Sequence, residues 1–144
     1  MRVSDLIGSR KEVFSIFEHD SVLQAAQYLH KKQVRATAVV NAFGEVAGVI
    51  SQSDISDKVA AQNLCPAWIK VSEIMSRQLI TVTPNMSFHE SLRLMEQFGV
   101  HHLLVVDDQE EFHGMLSVND LMRAMVSDEK ERADVLESYV FAVR

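Results

Sequence analysis

An internal duplication constrains the fold of this 144-residue chain more than any other feature of its sequence. Residues 21–55 align without a gap on residues 87–121 at a constant offset of 66 positions, and eight of the 35 aligned pairs are identical. Unrelated chains of ordinary composition would share about two. Upstream, VSDLI at 3–7 matches VSEIM at 71–75 at an offset of 68. Two copies of one unit are expected to fold alike and to pack together, because neither is large enough to bury its own sheet.

Each copy shows the same order of predicted elements. A short strand rich in β-branched and aromatic residues comes first, and a helix with a capping box follows, starting at Ser21 or Ser87. Two buried-type strands joined by a short loop come next, and a second helix begins at Ser51 or Ser117. The predicted strands are residues 13–17, 37–40 and 46–50 in the first copy and 79–83, 103–106 and 112–116 in the second. The pattern predicts an α/β (α+β) fold made of two β-α-β-β-α units.

The segments outside the units are a linker and a tail. Pro66 interrupts any helix in the linker, and we expect Trp68 to pack against the second copy. The tail has no counterpart in the repeat, and its apolar residues fall on one helical stripe. Such a stripe must be covered, either by the body of the chain or by a partner protein. The predicted organisation is a first unit at 1–60, a linker at 61–70, a second unit at 71–127 and a C-terminal helical tail at 128–144.

Charge and composition exclude several classes of protein. The net charge of −6 and the pI of about 5.4 argue against nucleic-acid binding, because no basic stripe exists to neutralise a phosphate backbone. The single cysteine, Cys65, excludes an intramolecular disulfide and a cysteine-based zinc site. The longest apolar runs are strand-sized, so no membrane span is expected, and the N-terminus lacks a signal-peptide core. The expected location is the cytoplasm.

One motif occurs at the same place in both units. It has the form G-h-h-S-x-x-D, where h is apolar, and reads GVISQSD at 48–54 and GMLSVND at 114–120. With the order of elements and the two copies, it resembles the cystathionine β-synthase (CBS) domain family over residues 3–60 and 71–127. The resemblance implies a pseudo-two-fold pair of units with clefts between them, where adenosine derivatives often bind. It also implies a homodimer.

The resemblance assigns expected roles to particular residues. Asp54 and Asp120 would accept hydrogen bonds from ribose hydroxyls, since a carboxylate can accept two at once. Ser51 and Ser117 would face a phosphate, because a helix N-terminus favours an anion. The first strand of each copy would supply a slot for adenine, formed by Phe14, Ser15 and Ile16 or by Ile80, Thr81 and Val82. The candidates for the charge opposite a phosphate are Arg35, its counterpart His101, and Arg123.

A simpler interpretation of the same motif requires no ligand. Ser-x-x-Asp is also a helix capping sequence. In addition, the sequence departs from the usual family pattern, because Ala38 and Leu104 stand where a proline is common and Asn41 replaces an acidic residue. Pro84 also lacks a partner, since Glu18 stands at its position in the first copy. The second copy is therefore the closer match, and its cleft is the first candidate site.

Metal binding and catalysis are not expected. His101 and His102 are adjacent on a strand and point to opposite faces, although His113 could join either of them at a metal. Cys65 has no base nearby in sequence, and no Gly-rich phosphate loop or catalytic carboxylate pair appears. The chain is expected to use no cofactor and to be no enzyme.

Three functional hypotheses follow. The leading one is a regulatory module that binds AMP, ADP, ATP or an S-adenosylmethionine-like ligand between the repeats and so changes its packing or assembly. The alternative is an unliganded interaction or dimerisation module that docks an effector protein through the tail. The third is a metal-responsive module that uses His101 and His113.

Overall fold

The computed structural model describes residues 1–8, 13–127 and 136–137, so the predicted tail lies almost entirely outside the described residues. The helices are α1 (Val3–Ile7), α2 (Val22–Lys32), α3 (Gln52–Ile55), α4 (Val71–Ile74), α5 (Phe88–Phe98) and α6 (Val118–Ser127). The strands are β1 (Ser15–Phe17), β2 (Ala36–Val40), β3 (Val46–Ser51), β4 (Thr81–Val82), β5 (His102–Val106) and β6 (Phe112–Ser117). A π-helical turn at Ser56–Ala60 continues α3, and a 3-10 turn at Pro66–Trp68 lies between the units.

The two halves form two sheets of the same topology. Each has three strands, in the orders β1-β2-β3 and β4-β5-β6, with a parallel first pair and an antiparallel hairpin. The registers also correspond, since Ser51 lies opposite Ala36 and Ser117 lies opposite His102. Both hairpins shift register at the same repeat position, between β2 and β3 and between β5 and β6. The predicted α+β fold with two equivalent units is confirmed.

The first strand of each unit is shorter than predicted. β1 begins at Ser15 rather than residue 13, and β4 covers only Thr81–Val82. Both are edge strands that pair with one neighbour, and the side chains of Val13 and Leu79 before them are exposed. An apolar residue at the rim of a sheet gains little from continuing the ladder, so composition alone overestimated these strands.

The long helices begin where the capping boxes predicted. The hydroxyl of Ser21 accepts from the backbone N–H of Gln24, and the side chain of Gln24 accepts from the N–H of Ser21. Ser87 and Glu90 repeat this arrangement at the start of α5. Each cap satisfies N–H groups that have no partner within the helix.

The short helices α1 and α4 pack on the opposite unit. The backbone N–H of Val3, in α1, donates to Met86 O at 2.9 Å, and Val3 is fully buried in the core of the second unit. The N–H of Val71, in α4, donates to Asp20 O at 2.8 Å, and Val71 is buried in the core of the first unit. Each half therefore completes the core of the other.

Two residues of the linker are exposed. The side chain of Trp68 is 85% exposed, so the expectation that it packs against the second copy is wrong. Trp68 ends the 3-10 turn between the two units, where its side chain is left in solvent. Cys65 is exposed as well. Among the described residues, every helix is too short or too polar to cross a bilayer.

Candidate functional site

The motif aspartates each serve as a helix cap through one oxygen only. Asp120 Oδ2 accepts from Ser117 N at 2.8 Å and from Ser117 Oγ at 2.9 Å, while Ser117 Oγ accepts from Asp120 N at 3.1 Å. Asp54 and Ser51 form the same three bonds at 3.0 to 3.2 Å. The other oxygen, Oδ1, is directed away from the cap in both. Because a carboxylate has about four acceptor positions, capping leaves Oδ1 able to accept from a ligand.

A cleft of about 800 Å³ lies between the two units at the Asp120 end. The first unit contributes the segment before β1 and the start of β2, and the second contributes β6 and the first turns of α6. Helix α1, which packs on the second unit, forms part of the wall. The residues that line it include Asp5, Phe14, Arg35, Thr37, His102, Ser117, Asp120, Arg123 and Ala124.

The cleft brings together five of the residues expected from the sequence, namely Phe14, Arg35, Ser117, Asp120 and Arg123. They come from both copies, as expected for a cleft between the two units. The lining does not include the others, which are Ser15, Ile16, Ser51, Asp54, Ile80, Thr81, Val82 and His101.

Sheet topology explains this selection. β4 and β6 lie on opposite sides of β5, about 10 Å apart, so Thr81 is remote from Asp120 although both belong to the second unit. Ile16 and Val82 are core residues with little exposed surface. The side chains that face Asp120 across the cleft therefore belong to the first unit.

Phe14 forms an apolar part of the cleft wall. Its ring contacts Tyr28 edge to face, with centroids 6.3 Å apart, and Lys32 Nζ lies 5.3 Å from the ring centroid. Both contacts fix the ring orientation. A fixed aromatic side chain at the rim of a cleft suits a flat, largely apolar group such as a purine base.

Two arginines stand near the cleft carboxylate. Arg123 Nη2 donates to Asp120 Oδ1 at 3.0 Å. The guanidinium of Arg35 forms no ion pair with any residue in the described ranges 1–8, 13–127 and 136–137. The hydroxyl of Ser117 already donates to Asp120, so in this arrangement it has no hydrogen left for a phosphate.

His102 is a cleft residue that the sequence suggested only as a metal ligand. Desolvation by burial lowers its pKa below the usual 6.5, and the charges of His101 and Arg35 lower it further, while Asp120 acts in the opposite direction. The imidazole is therefore neutral at pH 7. In the neutral imidazole one ring nitrogen donates and the other accepts, and the tautomer determines which is which.

The corresponding Asp54 site in the first unit is filled by the protein itself. Lys58 Nζ lies 3.0 Å from Asp54 Oδ1 and donates to the carbonyl oxygen of Ile74 at 2.8 Å. Ser76 pairs with Val49 through two backbone hydrogen bonds of 2.8 and 2.9 Å. At the offset of 66, the counterpart of Lys58 is Ala124, which lines the open cleft.

Thr37 and Asp5 line the cleft although the resemblance assigns them no role. Thr37 is a buried polar residue in the otherwise apolar strand β2, where the second copy has Leu103. A polar residue in a buried strand indicates a special environment. Asp5 gave no such signal, because the packing of α1 on the second unit places it in the wall.

The third histidine considered as a metal ligand pairs elsewhere. His113 Nε2 lies 2.7 Å from Asp107 Oδ2, and the two form a cluster with Glu111 at the β5–β6 hairpin. The hydrogen bond with His113 lowers the pKa of Asp107, and a backbone N–H from Glu111 adds to the effect. His113 therefore joins its own hairpin rather than His101 or His102.

The CBS domain family model matches residues 3–61 and 71–127, and the chain belongs to this family. The two matched segments correspond to the two copies found by self-alignment. The family match thus agrees with the resemblance drawn from the repeated motif.

The chain resembles CBS-domain proteins from bacteria and eukaryotes. It is 32% identical over 84% of its length to the mitochondrial CBS domain-containing protein CBSX3 of Arabidopsis thaliana. It is 30% identical to the CBS domain-containing protein YhcV of Bacillus subtilis, over 82% of each chain. It is also 26% identical over 86% of its length to the gamma-3 subunit of the bovine 5′-AMP-activated protein kinase, of which it spans 26%. It spans 60% of the plant protein and 59% of a relative from Methanopyrus kandleri.

Solved structures of CBS-domain proteins superpose closely on this chain. A CBS-domain protein from Burkholderia ambifaria gives a TM-score of 0.83 at 25% identity, covering 89% of this chain and 96% of the other. The CBS domain pair of protein MJ0100, in complex with 5′-methylthioadenosine and S-adenosyl-L-methionine, gives 0.78 at 25% identity, covering 88% and 97%. These neighbours share the architecture of two packed repeats.

Proposed function

We propose that this chain is a non-catalytic regulatory module that binds an adenine nucleotide or a related adenosyl compound in the cleft at Asp120. Binding there bridges the two units and changes how they pack or assemble. The observation that carries the proposal is the position of Asp120, which lines a cleft of about 800 Å³ together with the ring of Phe14 and arginines from both units.

Each part of a nucleotide has a suitable partner in this cleft. A ribose carries neighbouring hydroxyls that donate, and Asp120 Oδ1 accepts. A purine suits the apolar wall at Phe14, and a phosphate suits Arg35 and Arg123. The volume is within the range of small-molecule sites. The relationship to the complex of MJ0100 with two adenosyl compounds and to a subunit of an AMP-activated kinase supports the same class of ligand.

The direct test is calorimetry with AMP, ADP, ATP and S-adenosylmethionine, followed by the Asp120→Asn variant. Asparagine can keep one oxygen for the serine cap, but it replaces Oδ1 with an NH₂ group that cannot accept from ribose. We expect affinity to fall about tenfold to a hundredfold. The matched control is Asp54→Asn, which changes the same cap in the other copy and leaves affinity unchanged. Absence of binding by every adenine compound would overturn the proposal.

A second function is favoured by the exposed aromatic residues. Trp68 and Phe43 are 85% and 86% exposed, and large exposed aromatic side chains are typical of protein interfaces. Under this alternative the chain is an unliganded dimerisation or effector-docking module. Native mass spectrometry of the same samples separates the two functions, because it reports assembly and bound nucleotide together.

A further inference from the structure

We infer that Arg123 makes the Asp120 cleft selective for phosphorylated adenine nucleotides over neutral adenosyl compounds, by exchanging Asp120 for the ligand phosphate when the ribose binds. This inference rests on the proposed function, since it concerns the same cleft. It adds a class of ligand and a residue that determines specificity.

Both oxygens of the Asp120 carboxylate have partners in this structure. The cap uses Oδ2, and Arg123 Nη2 lies 3.0 Å from Oδ1, the oxygen that a ribose hydroxyl requires. A ligand with a ribose must therefore share or replace this contact. Replacing this contact costs little free energy, because the side chain of Arg123 is 78% exposed and exposed ion pairs contribute little to stability.

The guanidinium of Arg123 gains a new partner when the ligand carries a phosphate. Once Asp120 accepts from ribose, a phosphate on the 5′ side of the sugar offers Arg123 a bidentate, charge-assisted contact. Adenosine and 5′-methylthioadenosine offer only solvent. The exchange thus favours the phosphorylated ligand without a large rearrangement of α6.

The opposite wall of the cleft also carries a positive charge, that of Arg35. Arg35 comes from the first unit and has no ion-pair partner among the described residues, so it can approach an anion from the other side. Asp5, a carboxylate in the cleft wall, caps α1 by accepting from the backbone N–H of Arg2 at 2.9 Å. Two arginines from different units therefore flank the space beside Asp120, and an anion between them links the units.

The experiment compares AMP, adenosine and 5′-methylthioadenosine by calorimetry on the full chain. For the wild type we expect AMP to bind at least about tenfold more tightly than either neutral compound. The AMP affinity, unlike that of adenosine, falls as ionic strength rises. In Arg123→Gln the AMP affinity drops toward that of adenosine, while adenosine binds as well as before or better.

Two variants control for indirect effects. Arg123→Lys keeps the charge and retains part of the preference, and Arg93→Gln removes an exposed arginine from α5, outside the cleft, and changes nothing. Equal affinity for AMP and adenosine in the wild type, or an unchanged ratio in Arg123→Gln, overturns the inference and leaves the proposed function standing. If none of the three compounds binds, the proposed function fails and the inference fails with it.

Discussion

The Asp54 and Asp120 sites differ although their motifs are the same. Both aspartates cap a helix through Oδ2 and direct Oδ1 to a cation. At Asp54 that cation is Lys58, which is 48% exposed and is also bound to a carbonyl of α4. At Asp120 it is Arg123, which is 78% exposed and lines an open cleft. The first cation joins two segments of the protein, whereas the second remains accessible to a ligand.

In both units the motif forms a local cap, and under the proposed function the neighbouring residues determine whether a ligand can reach Oδ1. The capping and ligand interpretations are compatible, because they use different oxygens of one carboxylate. Among the described residues, Lys58 bridges Asp54 to Ile74 O, whereas the counterpart of Lys58 in the second unit is Ala124. Under the proposed function we therefore expect one nucleotide per chain, bound at Asp120.

The largest effect on this comparison is expected from Gly48→Ala, in the filled site. A Cβ at this position would lie 2.7 Å from both Met75 Sδ and Ser76 O, and the latter is a backbone atom that cannot rotate away. Overpacking of this kind destabilises by about 1–3 kcal/mol. Urea denaturation measures the loss, and AMP affinity at the distant cleft stays the same. A variant as stable as the wild type would show that the segment at 75–76 can move.

A smaller effect is expected from Ala124→Lys, which copies the filled site into the open one. The new ammonium stands four residues after Asp120 on α6, a spacing that favours an ion pair. Lys58 also donates to Ile74 O, whose counterpart at the offset of 68 is Leu6 in the cleft wall. A lysine at 124 that bridges Asp120 Oδ1 and Leu6 O would yield to a ribose less readily than Arg123 does, so we expect AMP affinity to fall about tenfold with little change in stability. Calorimetry and thermal denaturation measure the two quantities. Unchanged affinity would contradict the role given to Lys58.

The smallest effect is a pH dependence from His102, whose counterpart in the first copy is Ala36. Because its pKa is lowered in the folded state, the unfolded chain binds more protons below pH 6.5. The contribution of His102 to the free energy of unfolding therefore declines as the pH falls from 6.5 to the pKa of the folded state, and it is constant below that pKa. Denaturation of wild type and His102→Gln between pH 7 and 5 measures this, and the variant has the flatter profile. An NMR titration midpoint above 6.5 would contradict it.

Much of the fold was predictable because its signals are local. The capping boxes at Ser21 and Ser87 depend on residues three positions apart. The apolar patterns of the strands and helices extend over about four to eleven neighbouring residues. Strand ends were less predictable, since Val13 and Leu79 have strand-forming composition but lie at exposed edges. Five of the expected site residues lie in the cleft, namely Phe14, Arg35, Ser117, Asp120 and Arg123. The cap residues of the first copy, Ser51 and Asp54, do not, and neither do Thr81 and His101.

The sequence by itself determined the duplication, the order of the elements and the paired Ser-x-x-Asp caps, because each of these depends on residues close together in the chain. Only the tertiary structure decided that α1 and α4 exchange units, that Asp120 faces Phe14 and Arg35 of the other copy, and that Lys58 reaches Ile74 O. These contacts join segments far apart in sequence or depend on where a long side chain ends. No periodicity or short motif encodes them.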